Sequence, residues 1–482
     1  MSRTPLVLLL TIVAGGCAVG PSYHAPEPAP AGTQVGLRRQ PDSLNAFYDS
    51  LAQRGDTSAP PSRPLEPDSA DLAWLGILRD TTLVGLVNTA VRENRDVLAA
   101  QARIREFRAE LGITRSDLFP EVSANASAST NQIALGAFPP TSFDALRVTA
   151  DLAWELDFWG RIRRGIEASR ADLGAEEASY RATLLTLVSD VATAYLELLE
   201  LRQEETIAER TLASRRQTLA LARERFERGV ISQLDVHQFE SEVAVPASTL
   251  AQARRLRAQR EHELATLVGR LPFDLPAGGE LARAVQSLDV PDSIPATLLG
   301  RRPDVQEAER SYAAAVARIG VARAARLPRF SITANYGSQS ATADDLFSDN
   351  SEVYQLQGGV SIPLFTGGRL VNNTRAAQAR AEQARLRYEQ TVLQAFREAG
   401  DALVGVRTAR DQRVAQEAQV RALRSAVALA ELRYRGGVAS YLEVLEAQRS
   451  LFGAELGLSQ TQLLELGSVV QIYKALGGGW TR

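Results

Sequence analysis

Hydrophobic and polar positions along this chain follow two rhythms, and each rhythm occurs twice. In Val122-Ser-Ala-Asn-Ala-Ser-Ala-Ser129 apolar and polar residues alternate strictly, the period of a strand with two unlike faces. Downstream, Leu146, Val148, Ala150, Leu152, Trp154 and Leu156 fall on one face, and Arg147, Thr149, Asp151, Glu155 and Asp157 on the other. The alternation returns in Phe330, Ile332, Ala334 and Tyr336, then in Tyr354, Leu356, Val360, Ile362 and Leu364. Strands are predicted over 119–130, 143–157, 328–340 and 352–365, as two hairpins. After each hairpin the period lengthens. Leu184, Val188, Val191, Tyr195 and Leu198 are spaced four and three apart, and Val392, Phe396, Ala399, Leu403 and Val406 repeat the spacing. That is a coiled-coil seam. Long helices are predicted over 161–227 and 369–435, each about 100 Å at about 1.5 Å per residue.

Each long helix stops at a glycine turn. Arg225-Phe-Glu-Arg-Gly-Val-Ile-Ser-Gln-Leu-Asp-Val matches Arg433-Tyr-Arg-Gly-Gly-Val-Ala-Ser-Tyr-Leu-Glu-Val. Glycine after a helix takes the left-handed conformation without a Cβ penalty, and serine caps the free amides of the next helix. Gly229 pairs with Gly437, Val230 with Val438, Ser232 with Ser440, Leu234 with Leu442 and Asp235 with Glu443, always 208 positions apart. The offset also joins Asp96-Val97 to Asp304-Val305, Gly112 to Gly320, Pro120 to Pro328 and Gly160-Arg161 to Gly368-Arg369. A period of 208 residues is far too long for a solenoid, so one unit has been written twice. The first repeat covers 71–269 and the second 303–476, with a Pro/Gly-rich equatorial linker at 270–302 and a tail at 477–482. Shorter helices enter at 96–117 and return at 234–269 and 442–476; placed end to end they run beside the long ones.

Composition narrows the function. A net charge of −3 gives no basic field for nucleic acid. His24, His237 and His262 are scattered, no Cys or carboxylate stands at metal-ligand spacing, and Ser232 and Ser440 lack a neighbouring base. No enzyme, metal or cofactor is expected. Arg3, the apolar run Leu6–Val13 and Ala14-Gly-Gly-Cys17 have the layout of a secretory signal over 1–16. The segment resembles a lipobox, which implies a covalent lipid on Cys17, the single cysteine of the chain. Residues 17–70 are rich in Pro and polar residues, without periodicity, and are expected to be an extended tether.

Strands of this length, apolar on one face and charged on the other, suit a transmembrane barrel, and no apolar run long enough for a membrane helix is evident. Four strands cannot close, and lipid tolerates no open edge. Two chains make a filled eight-stranded barrel; three make twelve strands, wide enough for water. The fold class expected is therefore a membrane β-barrel joined to a long α-helical coiled-coil barrel, with tandem repeats and four strands per protomer of a trimer.

The chain resembles the TolC-type outer-membrane factors, especially the NodT-like efflux lipoproteins. The likeness is carried by Cys17-Ala-Val-Gly-Pro-Ser-Tyr, Trp74 with Leu83–Asn94, Arg301-Arg-Pro-Asp-Val305 with Ala308-Glu309, Ile319-Gly-Val-Ala322 with Pro328, and both glycine turns. It implies a homotrimer in the outer membrane, reaching into the periplasm as the exit duct of a tripartite efflux system. The implied partners are a periplasmic adaptor and an inner-membrane pump. Gly229, Val230, Ser232, Gly437, Val438 and Ser440 map to the tip that meets the adaptor. Leu442 and Glu446, with their counterparts Leu234 and Gln238, map to a constriction above it. Arg225, Arg433 and Arg435 are candidates to latch the tip through Asp235 or Glu443. A protein-secretion exit channel and a non-porous periplasmic spacer are the alternatives; a spacer needs one helical hairpin and no charge-alternating strands.

Overall fold

The computed structural model describes residues 19–21, 23, 34–36, 80–133, 141–273, 279, 281 and 293–478; Cys17, His24 and Trp74 lie outside them. A short strand β1 (Gln34–Gly36) precedes helices α1 (Thr81–Glu93) and α2 (Arg95–Ser116). Then come the hairpin β2 (Glu121–Ile133) and β3 (Thr141–Leu156), the 67-residue α3 (Arg161–Glu227) and the returning α4 (Gln233–Val268). After β4 (Ser293–Pro295) and a 3-10 turn (Ala296–Arg301) the order recurs as α5 (Pro303–Ala324), β5 (Arg329–Ser340), β6 (Glu352–Ser361), α6 (Arg369–Arg435) and α7 (Tyr441–Ala475). Strand β1, which the aperiodic tether did not predict, lies antiparallel to β4 with Val35 opposite Ile294.

The four long strands form one antiparallel sheet in the order β2-β3-β5-β6. Val122 lies opposite Leu152, Leu152 opposite Ala334 and Ala334 opposite Leu356, so the alternating residues gather on one apolar face. That face is bare in the single chain: Tyr354, Leu356 and Val360 are 80%, 76% and 59% exposed. The opposite face is a polar lattice. Asn125 Nδ2 donates to Asp151 Oδ2 (2.5 Å), an Arg147 guanidinium nitrogen to Asn335 Oδ1 (3.1 Å), and Asn335 Nδ2 to Gln355 Oε1 (3.3 Å). An apolar outer surface backed by a hydrogen-bonding inner one is what a membrane barrel wall requires. Strands β2 and β6 are the sheet's edges.

The predicted seam packs as a core: Val188, Val191, Tyr195, Leu198, Val392, Ala399, Leu403 and Val406 are buried, with Leu184 and Phe396 packed against them. One stretch of α3 is apolar enough to cross a bilayer by length and composition, contrary to expectation. It is 56% buried inside the protein, because it is the seam itself, flanked by helices of both repeats.

The short helices meet end to end halfway down the rod, and the two repeats join them with different chemistry. In the first repeat Asn94 caps α2, accepting from Asp96 N (2.9 Å) and Val97 N (3.2 Å), while its Nδ2 donates to Leu267 O (2.9 Å) near the end of α4. Gly269 follows at φ +82°, where a Cβ would sit 2.3 Å from Glu93 O. At the equivalent place in the second repeat the buried Arg302 donates to Asp304 (2.7 and 3.0 Å), Glu398 (2.7 Å) and Ala475 O (3.2 Å). The Arg-Arg-Pro-Asp motif is thus a clamp binding α5, α6 and α7.

Among the described residues five glutamates are buried, and four of them are neutralised by arginine. Glu176 meets Arg103 (3.0 Å); Glu465 meets Arg413 (2.6 Å) and Arg410 (3.4 Å). Glu455 on α7 joins Arg424 of α6 (2.9 Å) and Arg210 of α3. Glu242 on α4 joins Arg215 of α3 and Arg449 of α7. Glu200 on α3 pairs with no arginine among the described residues, and burial raises its pKa to about 7, helped by the charge on Glu204.

Candidate functional site

The hairpin ends of both repeats come together at the far end of the helical body. At the first turn Val230 N donates to Arg225 O (2.9 Å) and Gly229 N to Phe226 O (2.8 Å). The second is the same: Val438 N to Arg433 O (3.0 Å), Gly437 N to Tyr434 O (3.1 Å). Gly229 and Gly437 sit at φ +75° and +72°, where an L side chain is strained. Val230 and Val438 project into solvent at 66% and 74% exposure, apolar knobs at the extreme tip.

Capping differs between the turns. Ser232 completes a reciprocal box with Asp235: Asp235 N donates to Ser232 Oγ (3.3 Å) and Ser232 N to Asp235 Oδ2 (2.9 Å). Ser440 occupies the N-cap position but makes no side-chain cap, a correction to the expected pair of serine caps. Glu443, one methylene longer than Asp235, turns instead toward Arg433 at 3.5 Å.

The ion-pair expectations are corrected in part. Arg433 pairs with Glu443 as anticipated, whereas Arg435 pairs with Glu431 on its own helix at 3.4 Å. Arg225 reaches neither Asp235 nor Glu443. Its guanidinium donates to the Tyr434 hydroxyl and lies 5.0 Å from that ring's centre, because Asp235 is already occupied by the capping box. Tyr434 packs on Tyr441 (5.2 Å between centroids), and Tyr441 on Phe239 (4.1 Å). So α3, α4, α6 and α7 are tied at the tip by an arginine and three aromatic rings. Burial pushes the Tyr441 hydroxyl up to about 12. The pattern advertised the arginine-aromatic helix ends but not their partner across repeats, since these rings have no aromatic match 208 positions away except Phe226.

Just above lies the buried Glu242, also invisible to the pattern. Arg215 donates to its backbone oxygen (2.8 Å) and stands 2.7 Å from its carboxylate; Arg449 Nε donates to the other carboxylate oxygen at 2.6 Å. Leu442 and Glu446 lie exposed on one face of α7, and Leu234 and Gln238 are exposed on α4. Among the described residues no group of three or more His, Cys, Asp or Glu could hold a metal.

The profile described as "Outer membrane efflux protein" matches residues 86–270 and 294–478, two stretches whose starts and ends are each 208 positions apart. The chain belongs to that family. This efflux protein is 36% identical to the antibiotic efflux pump outer membrane protein ArpC of Pseudomonas putida, over all of this chain and 96% of that one. It is 35% identical to the toluene efflux pump outer membrane protein TtgC, also of Pseudomonas putida, with the same coverage. Among solved structures it resembles the outer-membrane channel OprN (TM-score 0.81, 29% identity, 96% of this chain and 100% of that one). It also resembles the open-state MtrE outer membrane channel of Neisseria gonorrhoeae (TM-score 0.78, 28% identity, 96% and 98% covered). The efflux protein is accordingly an outer-membrane channel, of a family of channels rather than enzymes.

Proposed function

We propose that three copies of this chain close one twelve-stranded barrel and one helical tube, forming a passive duct for small molecules from the periplasmic tip to the cell exterior. The observation that carries this is the pair of sheet edges β2 and β6, to which no further strand pairs among the described residues. The repeat also supplies the register of the joint. Glu121 opposite Ala153 in the first hairpin becomes Arg329 opposite Ser361 in the second, with no slip. By the same equivalence, Thr149 opposite Gly337 between hairpins becomes Gln357 of one copy opposite Ser129 of the next. A one-residue slip would turn the apolar face toward water, so the register is strongly specified.

The tip knobs Val230 and Val438 meet a periplasmic adaptor that links the duct to an inner-membrane pump, which supplies the energy. Cys17 carries the lipid. Its support is positional: Val19 N, two residues on, donates to Trp159 O (3.0 Å) where β3 passes into α3, at the barrel's base. Paired cysteines at Gln357 and Ser129 are expected to oxidise to crosslinked trimers, while Gln357 with Ser127 or Asn131 stays monomeric on denaturing gels. Absence of any crosslink, with no rods visible by electron microscopy, overturns the assembly. Cys17→Ser is expected to abolish labelling by a clickable palmitate analogue; unchanged labelling overturns the anchor.

A further inference from the structure

A recess of about 380 Å³ opens on the polar face at the base of the sheet, between β5, β6 and the first turn of α6. Its charged and hydroxyl lining is Glu155, Arg329, Ser331, Ser361 and Arg369. The one acid is already taken: both Glu155 oxygens are held by Arg161, at 2.8 and 2.9 Å. Neither Arg329 nor Arg369 has a carboxylate within ion-pairing distance among the described residues.

The first repeat shows what has changed. Its equivalents of Arg329, Pro363, Phe365, Arg369 and Val371 are Glu121, Glu155, Asp157, Arg161 and Arg163. There each arginine has an acid: Arg161 holds Glu155 and Arg163 meets Asp157 at 3.3 Å. In the second repeat the acids have become proline, phenylalanine and arginine, so the same place passes from a surplus of one negative charge to two positive ones. Two like charges brought to one hollow repel, and the repulsion is relieved by an anion.

We infer that this recess is an anion-binding site that takes the carboxylate or phosphate group of a small organic anion passing through the bore. Guanidinium presents a planar fork of donors matched to both groups, and the Ser331 and Ser361 hydroxyls add neutral donors at the rim. A trimer holds three such hollows at one level, and arginine rings favour anions in a pore. The inference rests on the duct described above for its access route, but binding itself does not depend on conduction.

Inorganic phosphate is therefore titrated against the detergent-solubilised full chain by calorimetry, beside Arg329→Gln/Arg369→Gln and the control Arg326→Gln, which lies outside the recess. The native chain and the control are expected to bind phosphate, and the double variant at least about tenfold more weakly. Planar-bilayer recordings in neutral lipid are expected to show an anion preference that Arg369→Glu shifts toward cations. Equal phosphate binding by native and doubly substituted chains, or none by either, overturns the site. Bound phosphate without ion conduction upholds the site and sinks the duct. Repeating the recordings with anionic lipid separates a solute phosphate from a headgroup: a headgroup in the recess abolishes the effect of added phosphate and overturns the solute assignment.

Discussion

Glu242→Gln is the substitution expected to loosen the tip most. The Glu242 and Arg215 side chains are each 5% exposed, so removing one charge strands the other away from water. Breaking one partner of such a pair costs about 3–5 kcal/mol. The lower figure applies here, because Arg215 keeps its bond to the Glu242 backbone oxygen (2.8 Å). The exposed pair Arg433–Glu443, 57% and 50% exposed, contributes about 1 kcal/mol or less in water and salt. A loss of about 3 kcal/mol raises the population of loosened tips on the order of a hundredfold. Trypsin reads that population at Arg225, Arg228, Arg433 and Arg435, provided reclosing is fast relative to cleavage. Glu242→Gln is expected to be cut about a hundredfold faster than the native chain, and Glu443→Gln less than about tenfold faster. Bilayer recordings should show the same ranking in open probability. Replacing both buried partners, Arg215→Met with Glu242→Leu, is expected to restore much of the native resistance, since an apolar pair of similar volume leaves no buried charge stranded and the half-exposed Arg449 turns to water. Equal cleavage of Glu242→Gln and Glu443→Gln, or a double variant as loose as the single one, would refute the assignment of the tip's cohesion to this buried pair.

Three further outcomes are expected. Glu200, whose pKa burial raises to about 7, binds its proton more tightly folded than unfolded, so its contribution to stability falls as pH rises from about 4.5 to 7 and is flat above. Glu200→Gln should thus raise the melting temperature more at pH 8 than at pH 5; an equal change at both would show that Glu200 does not titrate there. Ser232→Ala should cost about 1 kcal/mol in local stability at the tip and Ser440→Ala almost nothing, read by hydrogen exchange of the first turns of α4 and α7. Leu356→Arg, on the apolar face, should cost about 2–4 kcal/mol and deplete the protein from the outer-membrane fraction, whereas Gln357→Arg, on the polar face, should insert normally.

The architecture was legible because two independent periods coincide with a duplication. A strand of alternating residues and a helix with a four-three seam admit few partners, and the repeat removes most of the rest. Every alternating residue named from the pattern in β3 and β5 lies on its assigned face. The tip was legible only as backbone: glycine and serine specify the turns, but a side chain such as Arg225 selects among acceptors brought near by packing. The competition between the capping box and the latch for Asp235 is settled in three dimensions by geometry, not by spacing. The same holds for Glu242, Arg215 and Arg449, which belong to three helices and share no motif. Strand β1 was hidden for the opposite reason: three residues are too few to show a period.

The lattice of Asn125, Asp151, Arg147, Asn335 and Gln355 has a bearing on throughput. Its groups are largely satisfied by one another, so beyond the arginine recess at the sheet's base a traveller along that wall meets many weak handholds and no deep one. That stretch of lining neither selects cargo nor detains it. Clearance along the lattice then follows the rate of delivery at the entrance, and discrimination is left to the arginine recess below it and to whatever does the loading.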